Sequence, residues 1–182
     1  RYQPAGCVFD SGASLGPPPR EYATKSNRMS PPGVVMTYVA EDADTALVET
    51  KNDPGDYSVG TFELLQDVTV VNLSGIPSVP SLYDDKRNIY RSAIMFLRDF
   101  AEDISQPIAH DDRVHIDYIP TQVVTEFFRE VFSKEHFPVQ GLRYTSAPRP
   151  PHASIVLFAD RSHIEGTEEN TAAGVPALLR LV

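Results

Sequence analysis

Tryptophan is absent and cysteine occurs once, as Cys7. A lone thiol forms no intrachain disulfide, which suits a reducing cytoplasm. Cys7 sits in a Pro/Gly-rich segment with no neighbouring His or Arg to stabilise a thiolate, so it reads as inert. No apolar run approaches the ~18 residues of a membrane span, and no signal peptide is visible. The chain opens on Arg1 rather than methionine and is expected to be a piece of a longer protein. Basic residues are in deficit, 16 Lys+Arg against 25 Asp+Glu, for a net charge of −9. Such a surface repels phosphate backbones, so nucleic acid is not an expected partner. Gly-x-Gly-x-x-Gly and the P-loop are both missing, removing the main signals of Rossmann binding and P-loop binding. The five histidines include no pair at ligand spacing on one helix face. His110 with Asp111 and Asp112 reads as a solvated loop cluster, and no metal is expected.

What remains is ordinary globular material: 182 residues, 41% hydrophobic and 23% charged. That suits one domain able to bury roughly 70% of its unfolded surface. Pro17-Pro18-Pro19, Pro31-Pro32-Gly33 and Pro150-Pro151 mark turns. Val34–Ala40 is rich in β-branched residues and reads as a strand. Asp42 and Asp44 offer N-caps to a short helix over Thr45–Thr50. Thr61–Leu73, Val139–Ser146 and Ser154–Ala159 supply further strands. Ser81–Ile104 holds the strongest helix, with Ile89, Ala93, Phe96, Leu97, Phe100 and Ile104 as its apolar stripe. A second helix begins near Pro120, with Val123, Val124, Phe127, Phe128, Val131 and Phe132 as its face. That face reads as core, or alternatively as a surface shared with a second copy in a homodimer. Strands and helices mix without a βαβ rhythm, so the expected class is α+β in a single domain over 1–182. Its core is placed at about 1–160, with 161–182 as a variable tail.

One constellation carries chemistry. Arg28 precedes the Pro31-Pro32-Gly33 turn, on the strand expected to lead into it. Tyr38 closes the next strand, and Glu49 sits in the short helix beyond. Arg offers a planar fork to phosphate or carboxylate oxygens. Tyr offers a stacking face and a hydroxyl. Glu stabilises a developing cation or binds a sugar hydroxyl. Together they suit a phosphorylated sugar bearing an aromatic base. Residue by residue a plain reading stands beside it: a surface ion pair, a half-buried Tyr and a solvated Glu.

The string from Asn27 to Glu49, N-R-M-S-P-P-G-V-V-M-T-Y-V-A-E-D-A-D-T-A-L-V-E, resembles the RES domain family, named for an Arg, a Glu and a Ser. Tyr118–Glu126 resembles the family's Thr-Gln helix start. Gly141–Ser146 followed by Ile155–Phe158 resembles the segment carrying its Ser. Pro150-Pro151-His152 stands where the family often has glycine, which alters one pocket wall. The resemblance implies a fold like the ADP-ribosyltransferase toxins and an enzyme that degrades NAD by hydrolysis or phosphorolysis. It also implies a toxin paired with an antitoxin protein. NAD would then be substrate and no cofactor is needed. Arg28 would bind the NAD phosphates or seat the nicotinamide side, Tyr38 would pack on the nicotinamide ring, Glu49 would be the catalytic carboxylate, and Ser146 would orient the nicotinamide ribose. Two other readings stay open: an ADP-ribosyltransferase acting on a protein or small molecule, and a catalytically weak domain that binds a partner.

Overall fold

The computed structural model describes residues 1–51, 54–106 and 114–182. In chain order it has β1 (Tyr2–Gln3), α1 (Gly12–Leu15), β2 (Thr37–Ala40), α2 (Ala43–Thr50), β3 (Asp56–Tyr57), β4 (Phe62–Leu64) and β5 (Val70–Asn72). There follow α3 (Arg91–Ser105), α4 (Val114–Asp117), α5 (Ile119–Glu126), a π-helical turn over Phe127–Phe132, α6 (Ser133–Glu135), β6 (Gly141–Thr145), β7 (Ala153–Leu157), α7 (Glu168–Ala173) and β8 (Leu179–Leu181). The architecture is thus mixed α and β, as the pattern of the chain predicts. The His110, Asp111 and Asp112 cluster lies outside the described residues. Among the described residues there is no metal-binding group of His, Cys, Asp or Glu, and no helix is long and apolar enough to cross a membrane.

A four-stranded sheet in the order β2-β7-β6-β5 organises the molecule. β2 and β6 each run antiparallel to β7, and β5 runs parallel to β6. Gly141 is required at the start of β6: a Cβ there would strike the Val156 carbonyl oxygen. Alternation of side chains divides the sheet into two faces. On one, Leu142, Tyr144 and Val156 pack with Phe100 and Ile104 of α3 and with Phe128. On the other, Leu157 packs with Ala159, Ile164, Leu178 and Leu179, joined by Phe62, Val70 and Ile155.

Three expectations are corrected. The segment 161–182 is no tail outside the core: β8 pairs antiparallel with β4, and Leu178 and Leu179 are buried. One short strand leaves little periodic signal, yet the 161–182 stretch covers one face of the sheet. In α3 the inward line is Leu97, Phe100, Ala101 and Ile104, whereas Ala93 and Phe96, and Ile89 just before the helix, are exposed. In the 119–132 helix, Val124, Phe128 and Phe132 face the core and Val123, Phe127 and Val131 face out. Two apolar lines run side by side on that helix, and its polar residues decide between them. Thr121, Gln122 and Thr125 are buried because they have partners inside the fold.

Candidate active site

Asp42 begins the site by capping α2. Its carboxylate accepts from the Thr45 backbone N–H at 2.9 Å and the Thr45 hydroxyl at 2.7 Å. Arg149 donates to Asp42 Oδ1 and His152 Nδ1 lies 3.0 Å from Oδ2, so the loop after β6 is clamped onto the helix start. The Thr45 hydroxyl and N–H, followed by Arg149, hold the Asp42 carboxyl down to about 2. At 100° per residue, Asp42, Thr45 and Glu49 share one side of α2. Glu49 is exposed, yet its Oε1 accepts two hydroxyls, from Ser146 Oγ at 2.7 Å and Ser154 Oγ at 3.1 Å. Oε2 has no protein donor among the described residues. Ser146 follows β6 directly, is fully buried, and donates its backbone N–H to the His152 carbonyl at 2.8 Å.

Tyr38 is the second residue of β2. Its side chain is split between two environments: the residue is 41% exposed, while its hydroxyl turns inward to within 3.1 Å of Ser30 Oγ. Burial of that end pushes the hydroxyl up to about 12. Tyr144 lies at the middle of the group. Burial raises its pKa, the Glu49 and Tyr38 charges raise it further, and Arg28 and a hydrogen bond to Ser154 oppose the rise. Glu49, Tyr38 and Arg28 therefore all act on one buried hydroxyl.

Arg28 sits in a bend rather than on a strand. Its Nη1 donates to the Asp103 carbonyl at 3.0 Å and to the Ile104 carbonyl, capping the last turn of α3. Its guanidinium carbon stands 5.9 Å from the centre of the Tyr118 ring. Nε and Nη2 have no partner among the described residues. Arg28 thus has a structural duty as well as an unspent edge of its fork. The loop that carries it is tied down by α5. Thr121 Oγ1 donates to the Arg28 carbonyl, and Gln122 Nε2 donates to Ser26 Oγ at 2.7 Å, the Asn27 carbonyl at 2.7 Å and the Ser30 carbonyl at 3.3 Å.

The fold accordingly brings Glu49 and Ser146 into contact and sets Arg28 and Tyr38 around the same tyrosine. Ser146 is fully buried and gives its hydroxyl proton to Glu49, so in this arrangement it touches the carboxylate. Sequence reasoning did not single out Tyr144, Ser154 or Ser30, and it met Gln122 only as part of the Thr-Gln helix start. Tyr144 had a signal, since Leu142, Tyr144 and Ser146 alternate and point to one side of an extended segment. Ser154 had none, because it meets Glu49 through the pairing of β7 with its neighbours.

A cavity of about 460 Å³ lies on the reverse side of α2. Tyr38 and Ala40 line its edge, while Arg28, Glu49 and Ser146 do not.

In this mixed α and β domain, the Glu49 carboxylate on a short helix accepts from two serines, and Tyr144 feels Glu49, Tyr38 and Arg28. The model of the RES domain matches residues 10–174, nearly the whole chain, and the protein belongs to that family. No curated protein and no solved structure matches it.

Proposed function

We propose that this domain cleaves the bond between nicotinamide and C1′ of the adjoining ribose in NAD. The observation that carries the reading is the seating of Glu49: one carboxylate oxygen is fixed by Ser146 and Ser154, and the other is left for substrate. Membership of the RES family supports the NAD-related class of activity. The resemblance to ADP-ribosyltransferase toxins is part of the same proposal.

The chemistry asks little of the protein. As the C1′–N bond breaks, its electron pair returns to the ring nitrogen and nicotinamide leaves neutral, so no general acid is needed. The ribose passes through an oxocarbenium-like state, which a nearby carboxylate stabilises. Glu49 Oε2 performs that task and holds the 2′-hydroxyl. Tyr38 packs against the nicotinamide ring. The free edge of the Arg28 fork takes a phosphate oxygen. Ser146 and Ser154 position the carboxylate. An acceptor oxygen, from water or phosphate, then bonds to C1′ and releases its proton. The corresponding biological role is the toxin of a toxin–antitoxin pair.

Incubating the domain with NAD and following nicotinamide release, with and without phosphate, tests this. Free ADP-ribose identifies hydrolysis, ADP-ribose-1″-phosphate identifies phosphorolysis, and labelled protein identifies transfer. No nicotinamide under any of these conditions refutes the proposal.

A further inference from the structure

We propose that the cavity behind α2 is a second binding site, for an uncharged and predominantly apolar small molecule. Its volume, about 460 Å³, lies in the range of small-molecule sites. The walls come from several elements: Val39 of β2, Ile155 and Leu157 of β7, Leu47 of α2, and Phe62 and Val68 from the β4 region. The cavity opens to solvent, with Val59 and Leu64 on its wall 46% and 48% exposed, so an apolar occupant would cover surface that water now touches. A cavity built from so many separate elements is best explained by an occupant.

Charge decides the class of ligand. Three charged side chains reach the cavity, and each has a partner. Glu41 holds Arg143 at 2.6 Å. Asp42 holds Arg149 and His152. Arg1 donates to the carbonyls of Ser14 and Gly16. An ionic ligand entering there loses hydration without gaining a free counter-charge, whereas an apolar one gains from burial. Two of the hydroxyls at the wall are already donating, Thr50 Oγ1 to the Ala46 carbonyl and Ser58 Oγ to Gln3. They still accept, so a ligand with one N–H or O–H fits better than one with none.

The placement is informative too. Ala43, Ala46, Leu47 and Thr50 face the cavity, and Thr45 and Glu49, which do not line it, lie around the other side of the same helix. The ligand therefore packs on the back of the element that carries the carboxylate, while NAD, with its charged pyrophosphate, does not belong in this cavity.

The probe is N-phenyl-1-naphthylamine, an uncharged aromatic amine with one N–H whose fluorescence rises in apolar surroundings. Wild type is expected to bind it saturably at one site. Ala46→Phe fills the cavity from α2 and Val59→Trp fills it from the opposite wall. Each variant, checked by its melting temperature, should weaken binding at least about tenfold by overpacking the site. If one variant does not fold, the other decides. Glu49→Gln and saturating NAD should leave probe binding unchanged. Absence of saturable binding, full binding by a folded filled variant, or displacement by NAD would each overturn the proposal. All readouts are binding, so loss of the NAD-cleavage reading would leave this test standing.

Discussion

Removing the Ser146 hydroxyl isolates how Glu49 is held. In Ser146→Ala the fully buried side chain keeps its carbon and loses only oxygen, and the carboxylate keeps Ser154 at 3.1 Å as its one remaining donor among the described residues. A hydrogen bond to a charged acceptor contributes about 1.5–3 kcal/mol. Glu49 is exposed, so water competes for it and the low end applies. About 1.5 kcal/mol of lost positioning corresponds to roughly a tenfold fall in kcat. Stability should change little, because the freed carboxylate is solvated; a loss of about 1 kcal/mol lowers Tm by about 2–4 °C at this chain length. The assay is nicotinamide release under saturating NAD, beside a thermal melt. The sharper measurement is a cycle with Glu49→Gln. If Ser146 acts through Glu49, its removal adds nothing once the carboxylate is gone. Equal tenfold losses in both backgrounds would show that Ser146 acts directly on substrate. An unchanged kcat in Ser146→Ala would refute the positioning role.

Glu49→Gln itself should retain most NAD binding, seen by calorimetry, and lose roughly a hundredfold or more in turnover, since a carboxylate facing developing charge supplies a few kcal/mol. Arg28→Lys keeps a donor for the Asp103 and Ile104 carbonyls but not the second edge of the fork; its Tm should stay close to wild type while NAD affinity falls about tenfold. Equal affinity would leave Arg28 as a helix cap alone. Gln122→Ala removes three hydrogen bonds to the loop carrying Arg28 and should cost about 1–3 kcal/mol in a denaturant melt, with weaker NAD binding following. Asp42 has its pKa lowered in the folded state to about 2, so its contribution is complete above the ordinary carboxylate value of 3.8 and disappears as pH falls through about 2. Asp42→Asn should therefore melt below wild type at neutral pH, and the gap should close on acidification. A gap that persists at low pH would contradict the linkage.

The sequence by itself determined the class of the fold and most of the elements that carry the candidate site. The caps at Asp42, the β-branched run before Ala40 and the apolar spacing before Ile104 are local signals, and local energetics suffices to express them. The string from Asn27 to Glu49 also carried the family, which the match over residues 10–174 establishes. Only the tertiary structure decided what each of these groups touches. Ser154 reaches Glu49 because β7 pairs with β6 in one register, and register depends on burial of a whole face. Arg28 meets the end of α3 across 76 residues of chain, a contact with no periodic trace. The α5 helix had two apolar lines to offer, and buried threonines chose between them. The 161–182 segment joined the core by pairing β8 with a strand more than a hundred residues earlier. Periodicity reports which residues avoid water, but a site is made by partners distant in sequence, and their meeting is fixed only when the two faces of the sheet close.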